Sequence, residues 1–176
     1  MLVRSRMTTR VHTASPHTTL AEALGIARPH RIRHLPVMDG DLLVGLVTDR
    51  DLRLAMPPLW AAEREAMLAA LNVRRVGEVM VRAIITTTPD TPLEDAARQF
   101  YTHRIGCLPV MEDGRLVGIL TETDVLRAFA GLFASEAATV RLEVQVPNRP
   151  GELARVVRLI GIEHRINIAG IVAAPL

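Results

Sequence analysis

Apolar and polar positions along this chain fall into a pattern that occurs twice. Leu35-Pro36-Val37-Met38, a polar turn Asp39-Gly40-Asp41 and the apolar run 42–47 lead directly into Thr48-Asp49-Arg50-Asp51. Short apolar runs around a Gly-containing turn predict a hairpin, and Thr-x-x-Asp predicts a capped helix start immediately after it. Downstream, Leu108-Pro109-Val110-Met111 and Leu116-Val117-Gly118-Ile119-Leu120-Thr121-Glu122-Thr123-Asp124 repeat the arrangement. With one constant offset and no gap, 7–53 lies over 80–126 with about two positions in five identical. Each copy is too small to bury its own apolar face well, so the two are expected to pack together as one pseudo-twofold domain.

The remaining elements follow from local signals. In the first copy, 11–13 reads as a short strand, and Thr19-Leu20-Ala21-Glu22 is a capping box opening a helix through about 28. Thr91-Pro92-Leu93-Glu94 is expected to open the matching helix, with Pro at its first position. Each copy is thus strand, helix, strand, strand, helix, the last helix of the first copy covering 48–55. Pro57-Pro58 stops it, and an amphipathic stretch over 59–71 carries Trp60, read as a packing anchor. Beyond the second copy, 139–146 alternates as a strand, 147–151 is a turn, 152–163 is a helix burying Leu153, Val156, Val157 and Ile160, and 166–172 is another apolar strand.

Composition narrows the function classes. At 176 residues, 49% hydrophobic and 23% charged, the chain has the balance of a globular protein, and 3% aromatics make its core aliphatic. No run approaches the roughly 18 apolar residues of a membrane span, and residues 1–6 lack the apolar centre of a signal peptide, so a cytoplasmic location is expected. Every non-histidine base is arginine, which excludes a Schiff-base or P-loop lysine. The net charge of +2 is too small to point to nucleic acid. The first copy is the more basic, and Arg31, Arg33 and His34 just before a buried strand could meet a phosphate or simply solvate the strand entrance.

Catalytic signatures are missing from the sequence. There is no paired carboxylate, Ser/His/Asp order, metal-spaced Cys/His cluster or Walker-type glycine loop, so neither an enzyme nor a resident metal is expected. His30 and His103 share a repeat position, which a structural role explains better than a metal site. Cys107, the single cysteine, reads as a small core residue. The two Thr-x-x-Asp pairs have two readings: plain helix caps, or helix starts whose amides and dipole suit a phosphate while Asp takes a ribose diol.

Taken together, the paired Met-Thr or Met-Val lead-in, the capped helix, Leu-Pro-Val and Leu-Val-Gly-x-x-Thr-x-x-Asp resemble a tandem of CBS domains, a Bateman module, over residues 1 to about 129. The fold class implied is α/β (α+β): a pseudo-twofold pair of CBS βαββα repeats. By that resemblance 1–56 is the first repeat, 57–75 a helical connector and 76–133 the second repeat. The resemblance implies two clefts between the repeats that bind an adenosine nucleotide of the AMP, ADP or ATP type. Thr48 with Asp51, and Thr121 with Asp124, are implied at ribose and phosphate. Ile32, Arg33 and His34 are implied at adenine and phosphate, and Thr18 with Ala23, and Thr91 with Ala96, at the remaining cleft positions. In the second repeat Ile105, Gly106 and Cys107 replace the basic pattern, so unequal sites are expected.

The strand, Asn148-Arg149-Pro150-Gly151-Glu152-Leu153 and Ile166-Asn167-Ile168 resemble the first half of an ACT domain, a truncated ACT-like βαβ segment over 138–176. A CBS pair followed by such a segment resembles bacterial acetoin utilisation proteins. The function implied is a non-enzymatic regulatory ligand sensor, a homodimer acting on an unknown regulated protein, without membrane or nucleic-acid partners. The alternative is a dimerising scaffold with vestigial clefts, joined through helices such as 50–56 and 125–133.

Overall fold

The computed structural model describes residues 1–55, 69, 71–133 and 140–173. The chain divides into two compact units, Met1–Val125 and Leu126–Leu176.

The first unit opens with a single 3-10 turn, Val3–Ser5, followed by α1 (Leu20–Ala27), β1 (His34–Asp39), β2 (Leu42–Thr48) and α2 (Asp49–Leu54). The second copy supplies α3 (Val76–Val79), α4 (Leu93–His103), β3 (Cys107–Glu112), β4 (Arg115–Thr121) and the start of α5 (Glu122–Phe133). Strands β1 and β2 pair antiparallel, as do β3 and β4, with a register shift at Val37/Met38 and at the equivalent Val110/Met111. The second hairpin turns through Asp113 and Gly114, both at positive φ, the backbone that two-residue hairpin loops require.

The predicted strand at 11–13 reduces to one parallel bridge between Ala14 and Val37. The helix cap of the second copy also differs from expectation. Helix α4 has Pro92 at its cap position and so no side-chain cap, while Thr91 Oγ1 lies 3.0 Å from the Thr88 hydroxyl. The capping box of the first copy is at Thr19, whose hydroxyl accepts from Glu22 N at 3.2 Å. Pro92 stands at the position equivalent to Thr19, so the second copy has no hydroxyl there.

The two copies exchange their lead-in segments. Thr8 pairs through two 2.9 Å hydrogen bonds with Ile119 of β4, and Val81 pairs in the same way with Leu46 of β2. The preceding turns cross over with them: Val3 N donates to Thr91 O at 3.0 Å, and Val76 N donates to Thr18 O at 2.8 Å. Val3 and Val76 are both fully buried, and Val76 joins Leu20, Leu24, Leu35, Val37, Val47 and Leu52 in the core of the first copy. Burying an aliphatic side chain of this size contributes about 1.5–3 kcal/mol, so each copy is stabilised by a residue belonging to the other's sequence.

This exchange also explains the glycine of the Leu-Val-Gly motif. A Cβ on Gly118 would stand 2.7 Å from Met7 Sδ, and one on Gly45 would collide with Met80. The glycines admit the crossing methionines; neither has the positive φ of a turn glycine.

In the second unit, α6 (Glu152–Arg158) continues as a π-helical turn, Leu159–Glu163. The strands expected over 139–146 and 166–172 are not formed among the described residues, and the helix buries no side chain. A strand is held by ladder hydrogen bonds, and neither segment has a partner ladder among the described residues. Met56, Trp60 and most of the 57–75 connector lie outside the described residues, as do 134–139, 174–176 and the side chains of Leu132 and Phe133.

Candidate functional site

The Thr-x-x-Asp pairs sit where β2 and β4 become helices. Thr48 N and Oγ1 both donate to Asp51 Oδ2, at 2.9 and 2.6 Å, and Asp51 N donates back to Thr48 Oγ1 at 3.2 Å. In the second copy the corresponding distances for Thr121 and Asp124 are 2.9, 2.7 and 3.3 Å. All four residues are half-buried. Each box uses Oδ2 of its aspartate, which fixes the carboxylate's orientation.

The helix starts are not bare phosphate cradles. Asp49 N donates to Arg33 O at 3.0 Å and Glu122 N to Gly106 O at 3.2 Å, so with the capped Asp51 and Asp124 amides, two donors of each first turn are already bonded. An anion there would have to rely on side chains and the remaining amide.

The segment before β1 reaches across to the other copy. Arg33 Nη2 donates to Thr123 Oγ1 at 3.2 Å, and the His34 ring lies against Gly106, where an added Cβ would stand 3.0 Å from His34 Nε2 and 3.7 Å from Glu122 Oε2. Burial pushes the His34 imidazole below its ordinary value, the Arg33 cation adds to this, and the Asp51 carboxylate opposes it. Arg31 departs from the expected cluster: it is exposed, in the left-handed region at φ 55°, and closes the α1 turn by donating to Arg28 O at 3.1 Å.

The other expected positions fall into place by symmetry. Thr18 Oγ1 accepts from Ser15 N at 2.9 Å, and Thr91 Oγ1 from Thr88 N at 3.3 Å, so each threonine shapes its own loop. Ile32 and Ile105 are half-buried, their amides donating to Ala27 O and Phe100 O. The methyls of Ala23 and Ala96 are fully enclosed, which makes them packing groups that fix where the helix lies. Cys107 is buried, and burial pushes its thiol up to about 12.

The sequence carries no mark of Thr123 as the partner of Arg33, since nothing local signals a contact between residues 90 positions apart. Ser15 and Thr88 were findable: both carry a hydroxyl three residues before Thr18 and Thr91. His30, rather than pairing with His103, stacks on His12 with ring centroids 4.1 Å apart. Among the described residues no three His, Cys, Asp or Glu side chains gather as a metal site, and no helix is long and apolar enough to cross a membrane.

The family profile of the CBS domain matches residues 3–58 and 76–131, the two copies whose capping boxes and crossing lead-ins have just been described. The chain belongs to the CBS-domain family. It is 33% identical over 123 residues to the CBS domain-containing protein YhcV of Bacillus subtilis, spanning 70% of this chain and 81% of that protein. Among solved structures, the CBS domain pair of protein MJ0100 in complex with 5′-methylthioadenosine and S-adenosyl-L-methionine superposes with a TM-score of 0.62 at 32% identity, covering 74% of this chain and 97% of that one. CBSX2 of Arabidopsis thaliana in complex with AMP gives 0.62 at 32% identity, covering 76% and 98%. A Vibrio cholerae protein described as the acetoin utilization protein AcuB gives 0.63 at 31% identity, covering 76% and 93%. The Bateman module expected from the sequence is thus the fold observed.

Proposed function

We propose that this CBS pair is a non-enzymatic sensor of an adenosine nucleotide, AMP, ADP or ATP, held between the two copies. The observation that carries the reading is the identical pair of capping boxes, which present Asp51 and Asp124 in matched orientation beside the contact between the copies. A carboxylate fixed in this way is an acceptor suited to a ribose diol, which supplies two donors. The AMP complex of CBSX2 and the MJ0100 complex, both similar to this chain over most of its length, support an adenosine compound as the ligand class.

The two sites are unequal. Arg33 and His34 give the first copy basic groups where the second has Gly106 and Cys107, so a phosphate-bearing ligand is held on the side of Arg33. Ligand binding changes the packing of the copies through the Arg33–Thr123 and His34–Gly106 contacts and so biases a homodimer acting on a regulated protein of acetoin or central carbon metabolism in the cytoplasm.

A thermal-shift series with AMP, ADP, ATP, S-adenosylmethionine, NADH and branched-chain amino acids tests this. A ligand at 100 times its dissociation constant adds about 2.7 kcal/mol. The shift is expected with an adenylate and is lost in Asp51→Asn or Asp124→Asn, where the amide oxygen still accepts the cap bonds. No shift with any compound at millimolar concentration would leave the dimerising scaffold, for which the exposed Leu126 and Phe129 on α5 speak.

A further inference from the structure

Within the second unit, residues 140–144 expose their aliphatic side chains. No residue over 140–173 is buried, and Val140, Leu142 and Val144 are 94%, 66% and 49% exposed. Between them Arg141 and Glu143 form an exposed ion pair at 3.7 Å. Residues two apart share one face of an extended segment, so this pair sets both charges on one face and the three aliphatics on the other. Among the described residues of this unit no strand ladder satisfies the backbone of 140–144. An alternating segment without a ladder presents backbone donors and acceptors that a partner strand can take up, as an open sheet edge does.

The order Val-Arg-Leu-Glu-Val names the partner. Its apolar pattern reads the same in both directions while its charges reverse sign, so it is complementary to itself in antiparallel orientation. We propose that residues 140–144 pair with the same residues of a second copy of this chain, antiparallel about a twofold axis through Leu142. Leu142 then faces Leu142 of the second copy, Val140 faces Val144, and Arg141 faces Glu143 at both ends. Directly opposed residues share a face, so an axis on Arg141 or Glu143 would oppose like charges, and an axis between residues would set charged against apolar groups. The unit's own second apolar segment, 166–172, has no charged residue to meet either Arg141 or Glu143. The inference is independent of the nucleotide reading.

Cysteine cross-linking of the full chain tests it. The native Cys107 is buried, and the substituted positions are exposed, so the fold of the CBS pair is left intact. Leu142→Cys is expected to give a covalent dimer under mild oxidation, because directly opposed Cα atoms lie about 4.5–5.5 Å apart, inside the range of about 4.4–6.8 Å that a disulfide spans. Val140→Cys, which faces Val144, is expected to stay largely uncross-linked. Adding Arg141→Glu to Leu142→Cys lowers the dimer yield severalfold, and Arg141→Glu with Glu143→Arg restores it. Absence of the Leu142→Cys dimer, equal cross-linking through Val140→Cys, or indifference to the charge swap would each overturn the proposal, including in favour of a different protein as the partner.

Discussion

The imidazole of His34 lies against Gly106 of the opposite copy: a Cβ built on Gly106 would stand 3.0 Å from His34 Nε2. The position that the first copy fills with Arg33 is glycine in the second because the neighbouring histidine of the first copy occupies that space. The loss of the basic pattern in the second copy therefore has a packing cause. Gly106→Val is expected to destabilise the protein by about 1–3 kcal/mol through overpacking. His34→Ala in the same chain should recover most of that loss, and a double-mutant cycle from urea denaturation measures the coupling.

His34 also makes stability depend on pH. Burial first, and Arg33 second, hold its folded value below the ordinary 6.5. Between the folded and unfolded values the unfolded chain binds more protons, so this contribution is fully present above about 6.5 and is lost as pH falls toward the folded value. Melting temperatures at pH 7.5 and 5.5 should therefore fall further in the natural chain than in His34→Asn. An equal drop in both would remove His34 from the account.

The crossing methionines make a reciprocal prediction. Gly118→Ala places a methyl 2.7 Å from Met7 Sδ, and Gly45→Ala collides with Met80. Each is expected to cost about 1–3 kcal/mol, and Met7→Ala should partly rescue Gly118→Ala while leaving Gly45→Ala unrelieved. Thermal denaturation of the single and paired variants reads this pattern.

Thr48 links strand, cap and carboxylate. Thr48→Ala removes the hydroxyl that accepts from Asp51 N and donates to Asp51 Oδ2, and is expected to cost about 0.5–2 kcal/mol. Thr48→Ser keeps that hydroxyl and should retain most of the stability. Chemical denaturation of the two variants separates the cap from the threonine methyl.

Cys107 should be chemically silent in the native state. With its thiol buried and pushed up to about 12, almost none is thiolate near pH 8, and thiolate is the reactive form. Ellman's reagent is expected to titrate no thiol in native protein and one per chain after unfolding. Rapid native labelling would place Cys107 at an accessible site instead.

Much of this was legible in the residues because it is local. The hairpins are marked by apolar runs around Asp39-Gly40-Asp41 and Glu112-Asp113-Gly114, and the boxes of Thr19, Thr48 and Thr121 by spacing of three. The constant offset also set the second site's residues by the first. At the second helix start Thr91 resembles a cap but corresponds to Thr18, and Thr88 engages its hydroxyl. Segments 139–146 and 166–172 have the alternation of strands without the ladder, since alternation supplies a face and only another strand supplies hydrogen bonds.

The sequence by itself determined the twofold repeat, its hairpins and capped helices, and the pairing of Thr with Asp, because each depends on residues a few positions apart. Tertiary structure alone decided that Met7-Thr8 and Met80-Val81 cross to the opposite sheets, that Val76 completes the core of the first copy, and that Arg33 and His34 meet Thr123 and Gly106. Those contacts join distant stretches of chain. Their geometry follows from how two similar apolar faces close on one another, which no local spacing records.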